Sequence, residues 1–357
     1  MPRSSRTESL YDRVRALPLT VEGVSLTLNE QATSSGWTRC ATTIALHGGG
    51  HVGRGEDVTY DGAEQKAFAG APPPELAGRY PSFDEYSRAL DRLGTLFDGE
   101  PGQASSVLYR RWALESAGLD LALRQAETNL AERCGLTPRP VRFAVSTGLG
   151  TPPTTAPLLE RQRVAGELEF KIDYAEGFTD ALLDELRGLR IACVDFKGHY
   201  HGAFSGPPVD VDRYRAVARA LPEAILEDPG FAGLDAVREF APRLSWDYPV
   251  RSVADLLLLP ETGWINIKPS RFGLVSELLR AIEFCQARDL GLYGGGQFEL
   301  GVGRTQAQEL ASLFYADGPN DLAPPEYNDA VLAPGVPTSP LALANGPGFG
   351  AAYARES

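Results

Sequence analysis

The sequence predicts an α+β N-terminal module followed by an α/β barrel of the TIM-like (β/α)7β kind, and three observations carry that expectation. Five short apolar runs each end in a charge: Leu168-Glu169-Phe170-Lys171, Ile191-Ala192-Cys193-Val194-Asp195, Ala224-Ile225-Leu226-Glu227, Leu244-Ser245-Trp246-Asp247 and Trp264-Ile265-Asn266-Ile267-Lys268. The terminal charges stand 24, 32, 20 and 21 residues apart, and each step holds one strand, one crossover helix and two loops. The chain before Pro138 has a different rhythm, sheet signals first and helical signals after.

In order along the chain, Val21 to Asp61 has the pattern of a β-meander. Val24-Ser25-Leu26-Thr27-Leu28 alternates, Thr42-Thr43-Ile44-Ala45-Leu46 is β-branched and apolar, and His47-Gly48-Gly49-Gly50-His51 turns into a third strand. His47 and His51 form a candidate metal pair, set against the plainer reading of exposed turn residues. From Asp84 to Gly135 the pattern is helical, with Leu108, Trp112, Leu114, Leu119, Leu121 and Leu123 in its longest segment. Pro138 and Pro140 mark a boundary before Val141-Arg142-Phe143-Ala144-Val145-Ser146, the expected first barrel strand.

Helical patterns then fall near Ala156–Val164, Thr179–Leu189, Val211–Leu221, Leu234–Phe240, Ser252–Leu258, Leu274–Ala287 and Thr305–Phe314. Strand signals lie between them, with Leu290-Gly291-Leu292-Tyr293 late in the series and a weak eighth near Asn320-Asp321-Leu322. The expected division is 1–137, 138–325 and a Pro- and Gly-rich tail, 326–357, whose apolar run Leu341-Ala342-Leu343 packs back on the N-terminal module.

Composition narrows the function. With 357 residues, 43% of them hydrophobic, the chain has material for a large barrel and a second small domain. A net charge of −13 argues against nucleic acid and against an anionic membrane surface. Cys40, Cys134, Cys193 and Cys285 are scattered singly, which fits a reduced, cytoplasmic compartment rather than zinc or a disulfide framework. The first residues lack the apolar core of a signal peptide, and no run approaches the length of a membrane span. A small-molecule partner is expected, and a homo-oligomer is compatible with all of this.

In a closed parallel barrel the C-terminal strand ends share one rim, so the five charges converge on one mouth. Asp195, Glu227 and Asp247 together would repel one another unless a divalent cation joined them, and hard oxygen ligands without Cys or His favour Mg2+. Lys171 and Lys268 would flank that cation.

At this point the chain resembles the enolase superfamily, and more closely its muconate-lactonizing and o-succinylbenzoate synthase branch. Gly53-Arg54-Gly55-Glu56 is similar to a motif of the family's capping domain. Asp195, Glu227-Asp228-Pro229 and Asp247 match its three metal-ligand positions, Lys171 the first lysine of its strand-two motif, and Lys268-Pro269-Ser270-Arg271-Phe272-Gly273 its strand-six lysine motif. Two positions depart from the pattern: Asp173 stands where a second lysine is usual, and Lys197 where Asn is usual. Both share the inward parity of Lys171 and Asp195, so an Asp173–Lys197 ion pair is expected on neighbouring strands.

The resemblance implies removal of the proton beside a substrate carboxylate to give an enolate stabilised by Mg2+, then elimination, cycloisomerisation or epimerisation. Lys268 and Lys171 would address the two faces of that carbon, with Lys268 favoured as base because an acidic neighbour at Asp173 would raise the pKa of Lys171. His199 and His201 follow strand three as catalytic candidates or surface residues. Ser270 and Arg271 are candidates for a second substrate carboxylate, and Gln297 and Glu299 for substrate contacts or support of Lys268. Gly294-Gly295-Gly296 is a close-approach loop or a tight turn. Two competing functions are a Schiff-base aldolase built on Lys268 and a non-catalytic binding protein that has kept the barrel.

Overall fold

The computed structural model describes residues 8–33, 36–200, 205–329 and 331–350. It opens with one helical turn, α1 (Asp12–Arg15), and a short strand, β1 (Leu19–Val21). The expected meander follows as β2 (Gly23–Ala32), β3 (Thr38–Gly48) and β4 (His51–Asp57), antiparallel in that order. His47 lies on its exposed face with Nε2 2.8 Å from Ser25 Oγ. Helix α2 (Gly62–Gly70), strand β5 (Gly78–Tyr80) and helices α3 (Phe83–Leu90), α4 (Ser106–Gln125) and α5 (Leu130–Cys134) complete the N-terminal module. Strand β5 pairs with β1 rather than with the meander.

The Gly-x-Gly-Glu motif has a packing explanation. A β-carbon on Gly53 would stand 2.3 Å from the Leu121 nitrogen, and one on Gly55 would stand 1.9 Å from the Ala113 oxygen. Only bare backbone lets β4 lie this close on α4. Held there, Glu56 accepts backbone N–H bonds from Leu300 (2.5 Å), Gly301 (3.0 Å) and Gly303 (2.9 Å) and so joins the N-terminal module to the barrel.

The barrel alternates as predicted: β6 (Val145–Ser146), α6 (Ala156–Ala165), β7 (Glu169–Asp173), α7 (Asp180–Leu186), β8 (Arg190–Asp195), α8 (Val211–Ala220), β9 (Ile225–Glu227) and α9 (Gly230–Val237). Then come β10 (Leu244–Trp246), α10 (Val253–Leu258), β11 (Trp264–Ile267), α11 (Pro269–Phe272), α12 (Val275–Gln286), β12 (Gly291–Gly294) and α13 (Val302–Phe314). The seven strands are parallel and run β6 to β12 in chain order. The weak eighth signal is realised as two bridges, Asn320 to Phe143 and Asp321 to Gly295, which span the gap between β12 and β6. The fold is therefore an α+β capping domain on a (β/α)7β barrel.

Three local differences have simple causes. The fourth barrel helix begins a turn earlier than expected, directly after Pro229, with Gly230 at φ +68 making the turn into it. The run Val141 to Ser146 is a ladder only at its end, since Val141 pairs instead with Leu341. Leu341 thus docks at the barrel entry, where Val141 offers an unfilled edge, and not on the capping domain. The tail meets the capping domain later, where Gly348 N–H donates to Thr128 O and Phe349 N–H to Asp120, both at 2.8 Å. Among the described residues no helix is long and apolar enough to cross a membrane.

Candidate active site

Barrel geometry brings the five strand-end charges to one place. Asp195 and Glu227 are the last residues of β8 and β9, and Asp247 and Lys268 directly follow β10 and β11. Lys171 sits within β7 with its amine turned to the same centre. All five are buried. One ligand oxygen from each of Asp195, Glu227 and Asp247 lies within 4.8 Å of the others.

Every one of the three carboxylates carries its own cation. Lys171 Nζ is 2.6 Å from Glu227 Oε1 and 3.5 Å from Asp321 Oδ2. Lys268 Nζ donates to Asp247 Oδ2 at 2.9 Å, and Arg271 Nη1 to Asp247 Oδ1 at 2.7 Å. Lys197 Nζ is 2.5 Å from Asp195 Oδ2 and 3.1 Å from Asp173 Oδ1. Beneath this layer Tyr293 and Asn266 donate to Glu227 Oε2. Asp228, next in chain, accepts from the backbone N–H groups of Asp247 (2.9 Å) and Tyr248 (2.8 Å) and sets the turn that aims Asp247.

Electrostatics follow from this pairing. Burial alone would lower the pKa of Lys171, yet Glu227, then Asp321 and Asp195, reverse it and hold the ammonium well above its ordinary range. Burial likewise opposes the charge on Lys268, and Asp247 outweighs it while Arg271 pushes the other way. Burial raises Glu227 to about 7, against the pull of Lys171 and with added repulsion from Asp195 and Asp247. Asp247 goes the other way: burial is overcome by Arg271 and Lys268, which keep it ionised.

A divalent cation suits this donor set. The ligands are hard oxygens from three neighbouring strands, close enough to share one ion, and Asn266, whose amide nitrogen donates to Glu227, has a buried Oδ1 without a partner among the described residues, as has Ser270 Oγ just past Lys268.

A family model described as the C-terminal domain of the domain of unknown function DUF8230 matches residues 137–329, and its N-terminal counterpart matches residues 12–133. The chain belongs to the DUF8230 family. It is 30% identical to an o-succinylbenzoate synthase of Enterococcus faecalis over 62% of this chain and 63% of that protein. It is 27% identical to an N-succinylamino acid racemase of an Amycolatopsis species, over 67% of this chain and 68% of that one. The structure of a muconate lactonizing enzyme superposes with a TM-score of 0.66 at 16% identity, covering 94% of this chain and 97% of the other. The chain spans about 63% of the length of the first of these relatives. Its fold is shared with a solved member of the enolase superfamily from Enterococcus faecalis, at a TM-score of 0.62 and 20% identity over 94% of this chain and 95% of the other.

In this DUF8230 protein the remaining candidates take varied places. Arg271 spans Asp247 and the Tyr200 hydroxyl (3.2 Å), and is not held open for a second carboxylate. With its amide oxygen turned to Arg271, 2.8 Å from Nε, Gln297 donates to the Tyr60 hydroxyl at 2.7 Å and links this cation to the capping domain. Glu299 accepts from the Gln297 backbone N–H and pairs with Arg304, so it braces the loop. The partner of Asp173 is Lys197, whereas Glu227 and Asp321 raise the pKa of Lys171 in place of the acidic neighbour expected at 173. His199 packs its ring against Phe231 and Trp246. His201 lies outside the described residues.

Asp321, Asn266, Tyr293 and Tyr200 escaped the sequence reading. Asn266 had a usable signal, standing two residues before Lys268 on one strand and so on its face. Asp321 and Tyr293 had none, since their role depends on barrel closure and on the layer below the rim.

Proposed function

We propose that this protein is a metal-dependent enzyme, with Mg2+ as the ion its donors favour, which removes the proton beside a carboxylate of a small organic acid. The observation that supports this most is the cluster of Asp195, Glu227 and Asp247 oxygens, with Lys268 and Lys171 reaching it from different strands. When bound, a divalent cation supplies positive charge that unites the three carboxylates and offsets negative charge as the proton leaves.

The chain's own groups do the rest. Lys268 is the better base: a single carboxylate pairs with it and Arg271 opposes its charge, whereas Lys171 is held protonated by Glu227, Asp321 and Asp195. Lys171 then remains a fixed cation for the opposite face, or returns a proton there. Arg271, anchored by Asp247, Tyr200 and Gln297, fixes the orientation of Asp247 and with it the Lys268 amine. On this reading residues 1–137 form the capping domain, 138–325 the barrel, and 326–357 a tail joining them. The four buried free cysteines fit a reducing, cytoplasmic setting.

The names of the similar proteins suggest the panel: o-succinylbenzoate-like acids, N-succinylamino acids and muconate-like dienoic acids. Incubation with each in deuterium oxide should show exchange at the carbon beside the carboxylate, abolished by EDTA and restored by Mg2+. Lys268→Gln should slow that exchange by about 10²-fold or more. Exchange that survives EDTA, or an unaltered Lys268→Gln, would defeat the proposal, and covalent trapping by borohydride would point to a Schiff base.

A further inference from the structure

Lys197 occupies Asp195 more completely than any single residue needs to. Its backbone N–H donates to Asp195 Oδ1 at 2.9 Å while its ammonium stands 2.5 Å from Oδ2, so one residue engages both oxygens. This doubling depends on an unusual backbone, since Lys197 has φ +57, a left-handed conformation that folds a side chain back on the strand it has just left. Gly198 N–H, donating to Asp228 O at 2.9 Å, pins the turn.

The same ammonium has a second carboxylate within reach outside the buried triad. Asp173 Oδ1 is 3.1 Å away, and its side chain is 48% exposed, against 0% for Asp195. Lys197 is itself 28% exposed, whereas Lys171 and Lys268 are 3% and 8% exposed. On the outer side, the Tyr200 ring centroid is 5.2 Å from Nζ. Lys197 is thus a cation with an inner seat and an outer seat.

We propose that Lys197 is a resident counter-ion that competes with the divalent cation for Asp195, and that Asp173 receives its ammonium when the cation is bound. The proposal rests on the metal-dependent reading above. An ammonium and a divalent ion in contact with one carboxylate oxygen repel strongly in a buried site. Moving the ammonium to Asp173 keeps it paired and frees Asp195 as a ligand. In the absence of metal, Lys197 neutralises part of the cluster, so the barrel mouth folds without an ion. Metal affinity is lowered by the cost of displacing it.

Calorimetric titration of Mg2+ into the full-length protein and into Lys197→Met, Lys197→Gln and Lys197→Arg tests this, with circular dichroism confirming that each is folded. Met and Gln at this position should bind Mg2+ about tenfold more tightly or better, while Arg, which keeps the charge, should bind no more tightly than the parent. Mg2+ should also raise the Tm of Lys197→Met by more than that of the parent. Asp173→Asn should weaken binding more in the parent than in Lys197→Met, because only the parent needs the outer seat. Equal or weaker binding by both Met and Gln variants would overturn the inference while leaving the metal site standing. An equal effect of Asp173→Asn in both backgrounds would overturn the role given to Asp173. Absence of heat and of thermal shift in all the proteins would overturn this inference and the metal-dependent reading together.

Discussion

Glu227 holds its charge less firmly than its two partners in the cluster. Asp195 and Asp247 are held down by Lys197 and by Arg271 with Lys268, while burial lifts Glu227 to about 7 against the pull of Lys171 and, less, of Lys268. A proton on Glu227 must leave before that oxygen can ligate a cation. Mg2+ affinity should therefore rise with pH up to about 7, by as much as tenfold per unit, and flatten above it. Calorimetry near pH 6.5 in two buffers of different ionisation heat should reveal proton release on binding, and Glu227→Gln should abolish it. Without metal the sign for stability is opposite. The folded pKa lies above the ordinary 4.5, so the contribution of this group is full below that value and is lost as pH rises through about 7. At this scale the chain was legible wherever a charge closed an apolar run, as at Asp195 and Lys268. It was legible at Asp173 too, whose expected pair with Lys197 forms at 3.1 Å, although the acids that raise Lys171 are Glu227 and Asp321 rather than its neighbour in sequence.

Among the elements, the loop after β12 shows how a strand end shapes a neighbour's side chain. A β-carbon on Gly295 would stand 2.4 Å from Asn266 Oδ1 and 2.6 Å from Lys268 Cε, so the bare backbone there makes room for the amine. The glycines anticipated as a close-approach loop thus approach Lys268. Gly295→Ala should push Lys268 off Asp247, costing about 1–3 kcal/mol in overpacking and at least about tenfold in deuterium exchange. Urea unfolding together with the exchange rate checks this; a variant with unchanged exchange would show that Lys268 can shift without harm. Element by element, the β/α alternation was readable because each strand is an apolar run cut off by turn residues. Helix α2 escaped because glycines bound it at both ends and little amphipathic pattern marks it. The β1–β5 pair escaped because two three-residue strands 57 or more positions apart leave no local trace.

At the level of the whole molecule, capping domain and barrel are coupled through polar side chains buried at their junction. Arg39 donates to the carbonyls of Val58 and Thr59 in its own domain and to those of Gln297 and Phe298 in the barrel. Tyr60 reaches Gln297, which holds Arg271 and so touches the charged layer around Asp247. Glu56 completes the joint by accepting the N–H groups of Leu300 and Gly301, which lead into α13, and of Gly303 in its first turn, donors that would otherwise be left unpaired. Burial raises the pKa of Glu56 and these backbone bonds oppose that rise. Replacing Glu56 by Ala should leave three N–H groups unsatisfied and cost about 1–3 kcal/mol. The loss should be local to the joint. Hydrogen–deuterium exchange ought to rise in peptides covering β4 and residues 297–304 while β8 and β9 keep their protection, and proton exchange on substrate should slow because Gln297 no longer steadies Arg271. Equal loss of protection across the barrel would mean that Glu56 supports the fold at large, and the coupling between domain docking and Lys268 chemistry would have to be abandoned.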